Sequence, residues 1–398
     1  MKESGSMTPT ARAEIVVDVG AIRRNVRLLR ALTSAERPVQ MIAVVKADGY
    51  GHGMLEAARA AREGGADWVA AATLDEALAL RAGGDTGRLL CWLTVPGEDY
   101  AGAIEADIDL TAYSVAELDE IATAAAATGR PARVQLKVDT GVSRGGAARA
   151  DWPDVVARAR KGELDGSWTL TGIWSHFACS DEPAHPANDA QEAAFIEALA
   201  VADDAGLRPE IRHLANSAAA VLRPSSRFDA VRCGIAIYGL DPAPGVTGDI
   251  GLTPAMTARA RLAMVKHLEP GDAVSYGHTW AADRATTVGL VPAGYGDGVP
   301  RHASNLAEVA VGGKRRRIRG RVSMDQVVVD LDGDDAAPGD EVVLFGPGAD
   351  GAPTAQDWAE ACGTINYEIV TRIGGRMTRR YVDSEARRTA GPAEEARG

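Results

Sequence analysis

Lys46 is the residue whose type and position most strongly indicate chemistry. It follows the apolar run 41–45 and precedes a turn with three glycines, in the segment AVVKADGYGHG (43–53). Burial at the end of a strand lowers the pKa of a lysine ammonium group, and the neutral amine can form a Schiff base with an aldehyde. A lysine at a strand edge more often extends its ammonium group into solvent. Only six of the 43 lysine and arginine residues are lysines, which argues against an incidental charge here.

Arg144 and His176 follow later apolar runs. Arg144 lies in KVDTGVSRGG (137–146), a segment that also contains Lys137. A site for the carboxylate of an amino acid needs a fixed cation, and a guanidinium group supplies several donors in one plane. An arginine exposed to solvent is an equal alternative. His176 lies in WSHFACSDE (174–182), where a structural histidine is a more common outcome than a catalytic one.

Asn216, Ser217 and Arg232 follow two further apolar runs. The helix predicted after Ser217 would offer free backbone N–H groups and the positive end of its dipole to a phosphate group. Ser217 could also be only the N-cap of that helix. Arg232 precedes Gly234, which would let the backbone approach a phosphate closely. A structural salt bridge would also explain an arginine at this position.

The elements that would hold these side chains follow a repeated pattern. From residue 41 to about 238, short apolar runs alternate with longer amphipathic stretches, as in βα units around a parallel sheet. Eight units favour a (β/α)8 barrel over an open doubly wound sheet, and the polar residues above would then gather at the barrel mouth where the strands end. The eight runs are 41–45, 68–72, 89–93, 108–112, 134–138, 170–175, 211–215 and 228–232.

The segments that flank the predicted barrel have a different texture. Residues 13–18 resemble a strand and lead into a helix, and a turn-rich linker occupies about 241–251. After this linker, apolar runs are separated by Gly, Pro and Asp without long helices, which predicts a mostly β domain. We therefore predict an α/β fold with a barrel domain over 13–248, whose first strand could join the second domain, and a β domain over 249–383.

The composition favours a small-molecule partner. With 46% hydrophobic residues and a net charge of -12, the chain can bury a large core but lacks the basic surface that nucleic acid or an anionic membrane requires. The basic run 314–321 continues into a β-like alternation and is interpreted as a solvent-facing strand. Four separated cysteines without a CxxC pair predict neither a zinc site nor a disulfide framework. We expect a cytoplasmic protein without membrane segments, with unstructured tails up to about residue 12 and after about 383.

The segment around Lys46 resembles the alanine racemase family, and the resemblance continues in order to about residue 381. It implies a (β/α)8 barrel followed by a β domain, and a homodimer with shared active sites. It further implies that pyridoxal 5'-phosphate (PLP) is the cofactor and that Lys46 carries it. The implied reaction interconverts L- and D-alanine through two bases and supplies D-alanine for peptidoglycan.

The resemblance also assigns roles to individual residues. Lys46 would be the base on the D face, and Tyr276, reaching across the dimer interface, the base on the L face. His176 would hydrogen-bond the cofactor-binding Arg232, whose charge would keep the pyridine nitrogen unprotonated. The other implied cofactor ligands are Tyr50, Asn216, Ser217, Gly234, Ile235 and Tyr367. The implied substrate-binding residues are Arg144, Tyr295, Met324 and Asp325, and Lys137 matches a lysine that is often carbamylated.

A few positions depart from the family pattern. Ser143 stands where the family usually has glycine, and Ser323 where it often has cysteine. Met377 and Thr378 replace a common Val-Pro pair. Two rival classes share part of the architecture. A barrel-type PLP decarboxylase usually pairs a glutamate with the pyridine nitrogen where this chain has Arg232, and a small PLP-binding homeostasis protein lacks the β domain. Racemisation of serine or of larger amino acids stays open.

Overall fold

The structure is a computed structural model that describes residues 11–389. Much of the two predicted tails lies outside these residues. The described residues form two compact units, one of residues 20–253 and one of residues 11–19 and 254–389. Strand β1 (Ala13–Asp18) belongs to the second unit although it comes first in the chain. The predicted domain boundary at residue 248 stays a prediction.

Eight parallel strands close the first unit into a barrel. The strands are β2 (Gln40–Val44), β3 (Trp68–Ala71), β4 (Arg88–Cys91), β5 (Asp109–Ala112), β6 (Ala132–Lys137), β7 (Trp168–Trp174), β8 (Ile211–His213) and β9 (Ala230–Cys233). Each strand pairs with the next, and β9 pairs with β2 to close the ring. Nearly all strand residues are buried, as in parallel sheets that are covered on both faces. The predicted barrel is thus confirmed, and every predicted apolar run overlaps one strand.

One helix, α1 (Val19–Thr33), precedes the first barrel strand, and the other helices of this unit follow the barrel strands. They are α2 (Lys46–Tyr50), α3 (Met54–Glu63), α4 (Leu74–Ala82), α5 (Tyr100–Glu105), α6 (Val115–Thr128), α7 (Trp152–Leu164), α8 (Ala187–Asp204) and α9 (Ser217–Leu222). Local sequence explains several of their starts, because side-chain oxygens accept bonds from otherwise unpaired N–H groups. Thr73 and Glu76 form a capping box at α4, Ser114 caps α6, and Asn216 caps α9.

The second unit is mostly β-sheet, as predicted. Its strands are β1 together with β10 (Met256–Arg261), β11 (Met264–Leu268), β12 (Ala273–Val274), β13 (Trp280–Ala281), β14 (Thr286–Val291), β15 (Glu308–Val311), β16 (Lys314–Arg319), β17 (Val327–Asp330), β18 (Glu341–Phe345) and β19 (Thr378–Val382). Nine of them form one sheet, in the order β11-β14-β17-β16-β15-β18-β10-β1-β19, and β12 pairs with β13. Its helices are α10 (Ala355–Cys362), α11 (Asn366–Arg372) and α12 (Ser384–Thr389).

Three features of the sequence find their place in this fold. The basic run 314–321 contains β16, and its Lys314 and Arg316 both pair with Asp334. The four cysteines are free. Within residues 11–389, no helix has the length and apolar character needed to cross a membrane.

Candidate active site

Most predicted site residues of the first unit lie at or just beyond the carboxyl ends of barrel strands. This is the face where barrel enzymes carry their chemistry, because the loops that follow the strands all open there. The predicted residues that lie there are Lys46 after β2, Lys137 at the end of β6, His176 after β7, Asn216 and Ser217 after β8, Arg232 within β9, and Gly234 and Ile235 after β9.

The turn that follows β2 has an uncommon backbone. Ala47, Asp48 and Tyr50 have φ values of 52°, 51° and 52°, in the left-handed region that non-glycine residues rarely adopt. Two carboxylates hold this turn. Glu76 accepts a hydrogen bond from the Ala47 N–H at 2.6 Å, and Asp48 accepts one from the N–H of a residue in α3 at 2.9 Å. Backbone strain of this kind is concentrated at functional sites, here beside Lys46.

Lys46 is an amine in a positively charged, desolvated environment. Burial is the main cause that lowers its pKa, the charges of Arg144 and Arg232 lower it further, and Glu76 opposes them. Its Nζ lies 5.7 Å from the centroid of the Trp92 ring. Because the neutral amine is the nucleophilic form, this environment prepares Lys46 for bond formation with a carbonyl group.

Lys137 lies in the same group of cations. Burial and the charges of Arg232 and Arg144 lower its pKa to about 8. Its Nζ lies 4.6 Å from the Trp174 ring and 5.4 Å from the Tyr113 ring, and cation–π contacts of this kind favour the charged form only modestly. The structure thus brings two predicted lysines and two predicted arginines close enough to perturb one another.

Arg144 is exposed in a loop that a single carboxylate organises. Asp139 accepts hydrogen bonds from the N–H groups of Gly141, Val142 and Ser143 at 2.8, 3.0 and 3.2 Å. Ser143 has a φ of 55°, which explains why glycine would suit that position. Ser143 adopts this strained backbone conformation, so the loop that carries Arg144 forms without a glycine at this position.

Arg232 is buried and makes its hydrogen bonds to neutral acceptors. Its Nη atoms donate to the Nδ1 atoms of His213 and His176, each at 2.9 Å, and to three backbone carbonyl groups. Its Nε donates to no atom within residues 11–389, and no carboxylate of that range pairs with it. Burial lowers its pKa to about 9, so the group stays charged near neutral pH and retains one donor for a ligand.

Both histidines around Arg232 are neutral. Burial, then the charge of Arg232, holds the pKa of His176 and of His213 well below the ordinary value. An arginine only donates hydrogen bonds, so each Nδ1 accepts and each neutral ring carries its proton on Nε2. For His176 this leaves an N–H donor in the candidate site.

Tyr50, Ser217 and Gly234 converge beside the start of α9. The Gly234 N–H donates to Ser217 Oγ at 2.9 Å. A Cβ on Gly234 would lie 2.3 Å from Tyr50 Oη, so glycine is required for the tyrosine hydroxyl to occupy its position. Asn216 caps α9 through a bond from the Ala219 N–H at 3.1 Å. Hydroxyl and backbone N–H groups of this kind can cradle a phosphate.

The remaining predicted residues lie in the second unit. Tyr295 and Met324 are neighbours there, because the N–H of Tyr295 donates to Ser323 O at 3.0 Å and the next N–H donates to Met324 O at 2.8 Å. Tyr276 is 71% exposed, Tyr295 42% and Met324 55%. Asp325 accepts a 2.6 Å bond from an arginine that precedes β19. Tyr367, in α11, is half-buried.

Comparisons with known proteins cover nearly the whole chain. The model of the alanine racemase N-terminal domain matches residues 17–242, and that of the C-terminal domain matches residues 255–381. The chain belongs to the alanine racemase family. The alanine racemase of Salinispora arenicola is 54% identical over 374 residues, covering 94% of this chain and 99% of the relative. That of Streptomyces coelicolor is 52% identical, covering 94% and 96%.

Solved structures of alanine racemases also match the fold of this chain over most of its length. The crystal structure of the enzyme from D-cycloserine-producing Streptomyces lavendulae has a TM-score of 0.92 at 50% identity, covering 94% of this chain and 98% of that chain. The enzyme from Streptomyces coelicolor A3(2) has a TM-score of 0.91 at 52% identity, covering 93% and 98%.

Several residues that contact the predicted site residues within each unit were not predicted from the sequence. His213 and Trp174 were not singled out, although Trp174 places its ring 4.7 Å from the Arg232 guanidinium carbon and stacks on His213. In the second unit, Arg376 contacts both Asp297 and Asp325 and so links the segments that carry Tyr295 and Met324. A histidine or tryptophan within an apolar run carries no signal of its contacts, so the pattern alone could not have found these residues.

Proposed function

We propose that this member of the alanine racemase family binds PLP at the mouth of its barrel and interconverts L- and D-alanine there. The observation that carries the proposal is the group of cations around Lys46. Arg232, Arg144 and Lys137 surround an amine of lowered pKa, while Glu76 is the carboxylate that acts on Lys46. A site with this excess of positive charge suits a ligand that carries several negative charges.

The residues present fit PLP. Lys46 would join the aldehyde carbon, and Arg232 would donate its Nε–H to the pyridine nitrogen. The phosphate would take donors from the Ser217 segment and from Gly234 and Ile235, with Tyr50 and Tyr367 completing its shell. Arg144 would bind the phenolic oxygen and the carboxylate of the substrate. Arg232, whose pKa of about 9 keeps it charged near neutral pH, would donate this hydrogen bond without giving up its proton, so the ring nitrogen would stay unprotonated.

Two bases on opposite faces of the substrate would move the proton. When bound, PLP makes the α-hydrogen of alanine acidic enough to be removed. Lys46 Nζ would exchange a proton on the D face, since its lowered pKa leaves a neutral amine available to accept one. The phenol oxygen of Tyr276 of the partner subunit would exchange a proton on the L face. The His176 Nε2–H would position that phenol oxygen, and the charge on Arg144 would fix the substrate's orientation.

The role proposed for Tyr276 implies a homodimer in which both subunits contribute residues to each active site. Tyr276, Tyr295 and Met324 expose much of their apolar surface in the single chain, and large exposed apolar side chains often mark an interface. Tyr295, Met324 and Asp325 of one subunit would then line the substrate pocket of the other. In a C2 dimer each interface contact occurs twice, which would give two equivalent sites.

A cofactor-mapping experiment and a turnover assay test the proposal. The full chain is loaded with PLP, reduced with borohydride and digested. The cofactor should be found on the peptide that contains Lys46. D-alanine formation from L-alanine should be abolished in Lys46→Ala and retained in Lys266→Arg, which alters an exposed lysine of the second unit. Cofactor on another lysine, or turnover by Lys46→Ala, would overturn the assignment.

The substrate range and cellular role extend this proposal. L-Serine and L-lysine, tested beside L-alanine, would measure how strictly the pocket selects a methyl side chain. We propose that the product D-alanine enters peptidoglycan and that the enzyme acts in the cytoplasm. Four free cysteines are compatible with a reducing compartment.

A further inference from the structure

Gln135 lies behind the arginine that faces the proposed cofactor site. It belongs to β6 and is fully buried. Its Oε1 lies 2.8 Å from His213 Nε2, and on the other side of that ring the Nδ1 lies 2.9 Å from Arg232 Nη1. The three side chains therefore form a continuous chain of hydrogen bonds from one side of the barrel interior to β9.

The positions of the protons in this chain follow by elimination. Arginine cannot accept a hydrogen bond, so His213 Nδ1 must be the acceptor. His213 is neutral because burial holds its pKa well below the ordinary value, and its single ring proton is therefore on Nε2. This N–H must donate, which requires the oxygen of the Gln135 amide. With the amide reversed, the ring proton would move to Nδ1 and two donors would face each other at Arg232.

The barrel is built to hold Gln135 in this position. Gly172 is its partner on β7, and a Cβ on Gly172 would lie 2.6 Å from Gln135 Cδ and 2.7 Å from Oε1. The glycine thus leaves the space through which the amide reaches His213. On the other side, the Trp174 ring stacks on the imidazole at a centroid distance of 5.5 Å and an angle of 11°.

We propose that Gln135 is a positioning residue that, by accepting from Nε2, stabilises the same His213 tautomer that Arg232 requires and thereby holds the Arg232 guanidinium with its Nε–H directed to a ligand. The last part rests on the proposed function, because the ligand of that Nε–H is the pyridine ring. With His213 in the other tautomer, Arg232 would lose an acceptor and face a donor. Its guanidinium group would have to rotate, and the Nε–H would turn with it.

The tautomer can be measured directly by ¹⁵N NMR. The full-length chain is labelled at its seven histidines, and the His213 signals are assigned by their loss in His213→Gln. In the wild type, Nε2 of His213 should carry the proton, and Nδ1 should be an unprotonated acceptor. Gln135→Met removes the acceptor at similar volume and should shift His213 toward a mixture of tautomers. Gln135→Glu keeps an acceptor oxygen and should preserve the Nε2–H form.

A control variant separates this effect from a general disturbance of the barrel. Thr111 is the partner of Gln135 on β5 and is also buried. Thr111→Val should leave the His213 signals unchanged. Gly172→Ala offers a second route, since the added methyl group should displace the amide without altering residue 135, and it should reproduce the shift if Gln135→Met does not fold.

Kinetics provide a second readout. In metal sites, the loss of a residue that orients a ligand through a hydrogen bond costs about 10- to 100-fold in activity. We expect an effect of the same size here, so kcat of Gln135→Met should fall by about 10- to 100-fold while KM changes less than about threefold. Gln135→Glu should recover most of kcat at pH 8. The His213 ring contacts the side chains of Arg232, Trp174 and Gln135. Burial and then the charge of Arg232 lower the pKa of His213, whereas Trp174 and Gln135 are neutral.

A carboxylate at position 135 would raise the pKa of His213. Protonation would then place an N–H against Arg232, so the acid limb of the kcat profile should move to higher pH in Gln135→Glu.

Different results would overturn the role of Gln135 and the proposed function. An unchanged His213 tautomer in both Gln135→Met and Gly172→Ala would overturn the role of Gln135, whatever the activity. Absence of racemisation by a wild type with the expected tautomer would overturn the proposed function instead.

Discussion

Lys137 should react with CO2 to form a carbamate. Only the neutral amine reacts, and the pKa of Lys137 is lowered to about 8 from an ordinary 10.5. At pH 8 about half of the Lys137 side chains are therefore neutral, against roughly 0.3% for an ordinary lysine, a gain of about 150-fold. The same shift corresponds to roughly 3 kcal/mol of preference for the neutral form.

Carbamylation would also improve the charge balance of the site. The neutral amine nitrogen forms a bond to the carbon of CO2 and releases one proton to solvent. Because the ammonium form must first lose a proton as well, the change from a cation to an anion releases two protons in all. The two charges that lower the pKa of Lys137 most are Arg232 and Arg144. An anion at this position would attract both of them, where the ammonium group repels them. We expect the carbamate to orient Arg144 toward the substrate carboxylate.

The assay is ¹³C NMR of the chain in labelled bicarbonate buffer. One protein-bound carbamate signal should appear at pH 8.5, and it should weaken as the pH falls through about 8, because protonation removes the reacting amine. Lys137→Met should abolish the signal, and Lys161→Met, at an exposed lysine of α7, should retain it. A signal of equal strength at pH 6.5, or one that survives in Lys137→Met, would refute this reasoning.

Three further predictions follow from other parts of the structure. Lys46→Ala and Tyr276→Phe should each give an inactive homodimer, whereas an equal mixture refolded together should regain about a quarter of wild-type activity by statistical pairing; an inactive mixture with proven subunit exchange would exclude a shared site. Gly234→Ala should weaken PLP binding by about tenfold or more, since its methyl group would displace Tyr50 Oη, and equilibrium titration of the apo chain would show this. Asp109→Asn should lower the free energy of unfolding by about 3 kcal/mol, because two arginines would lose their buried partner; urea unfolding that matches the wild type would contradict it.

The barrel was predictable from the sequence because its strands are buried on both faces. Such strands appear as short apolar runs, and each run overlaps one observed strand. Two of the runs match their strands less simply, and the structure explains both. The run at 108–112 contains Asp109, a buried carboxylate that ion pairs make tolerable. The run at 228–232 begins two residues before its strand. The strand begins only at Ala230, because Phe228 has a φ of 42°, which is not an extended conformation.

The chemistry of the barrel mouth was also predictable in part. Polar residues at the ends of apolar runs must meet on one face of a parallel barrel, and Lys46, Lys137, His176 and Arg232 do so. Their pKa values were not predictable, since these depend on how deeply each group is buried and on which charges surround it. The sequence could not show that Arg232 has no carboxylate partner within the described residues.

The tertiary structure alone decided which side chains share a hydrogen bond. Gln135 is 78 positions from His213 in the chain, and His213 is 19 positions from Arg232. The same holds for β1, which precedes the barrel but pairs with β10 and β19 of the second unit. Apolar periodicity reports whether a residue faces the core, which is a local property and can be read along the chain. The identity of its neighbour depends on how distant strands align when the barrel and the sheet close, and no local pattern encodes that register.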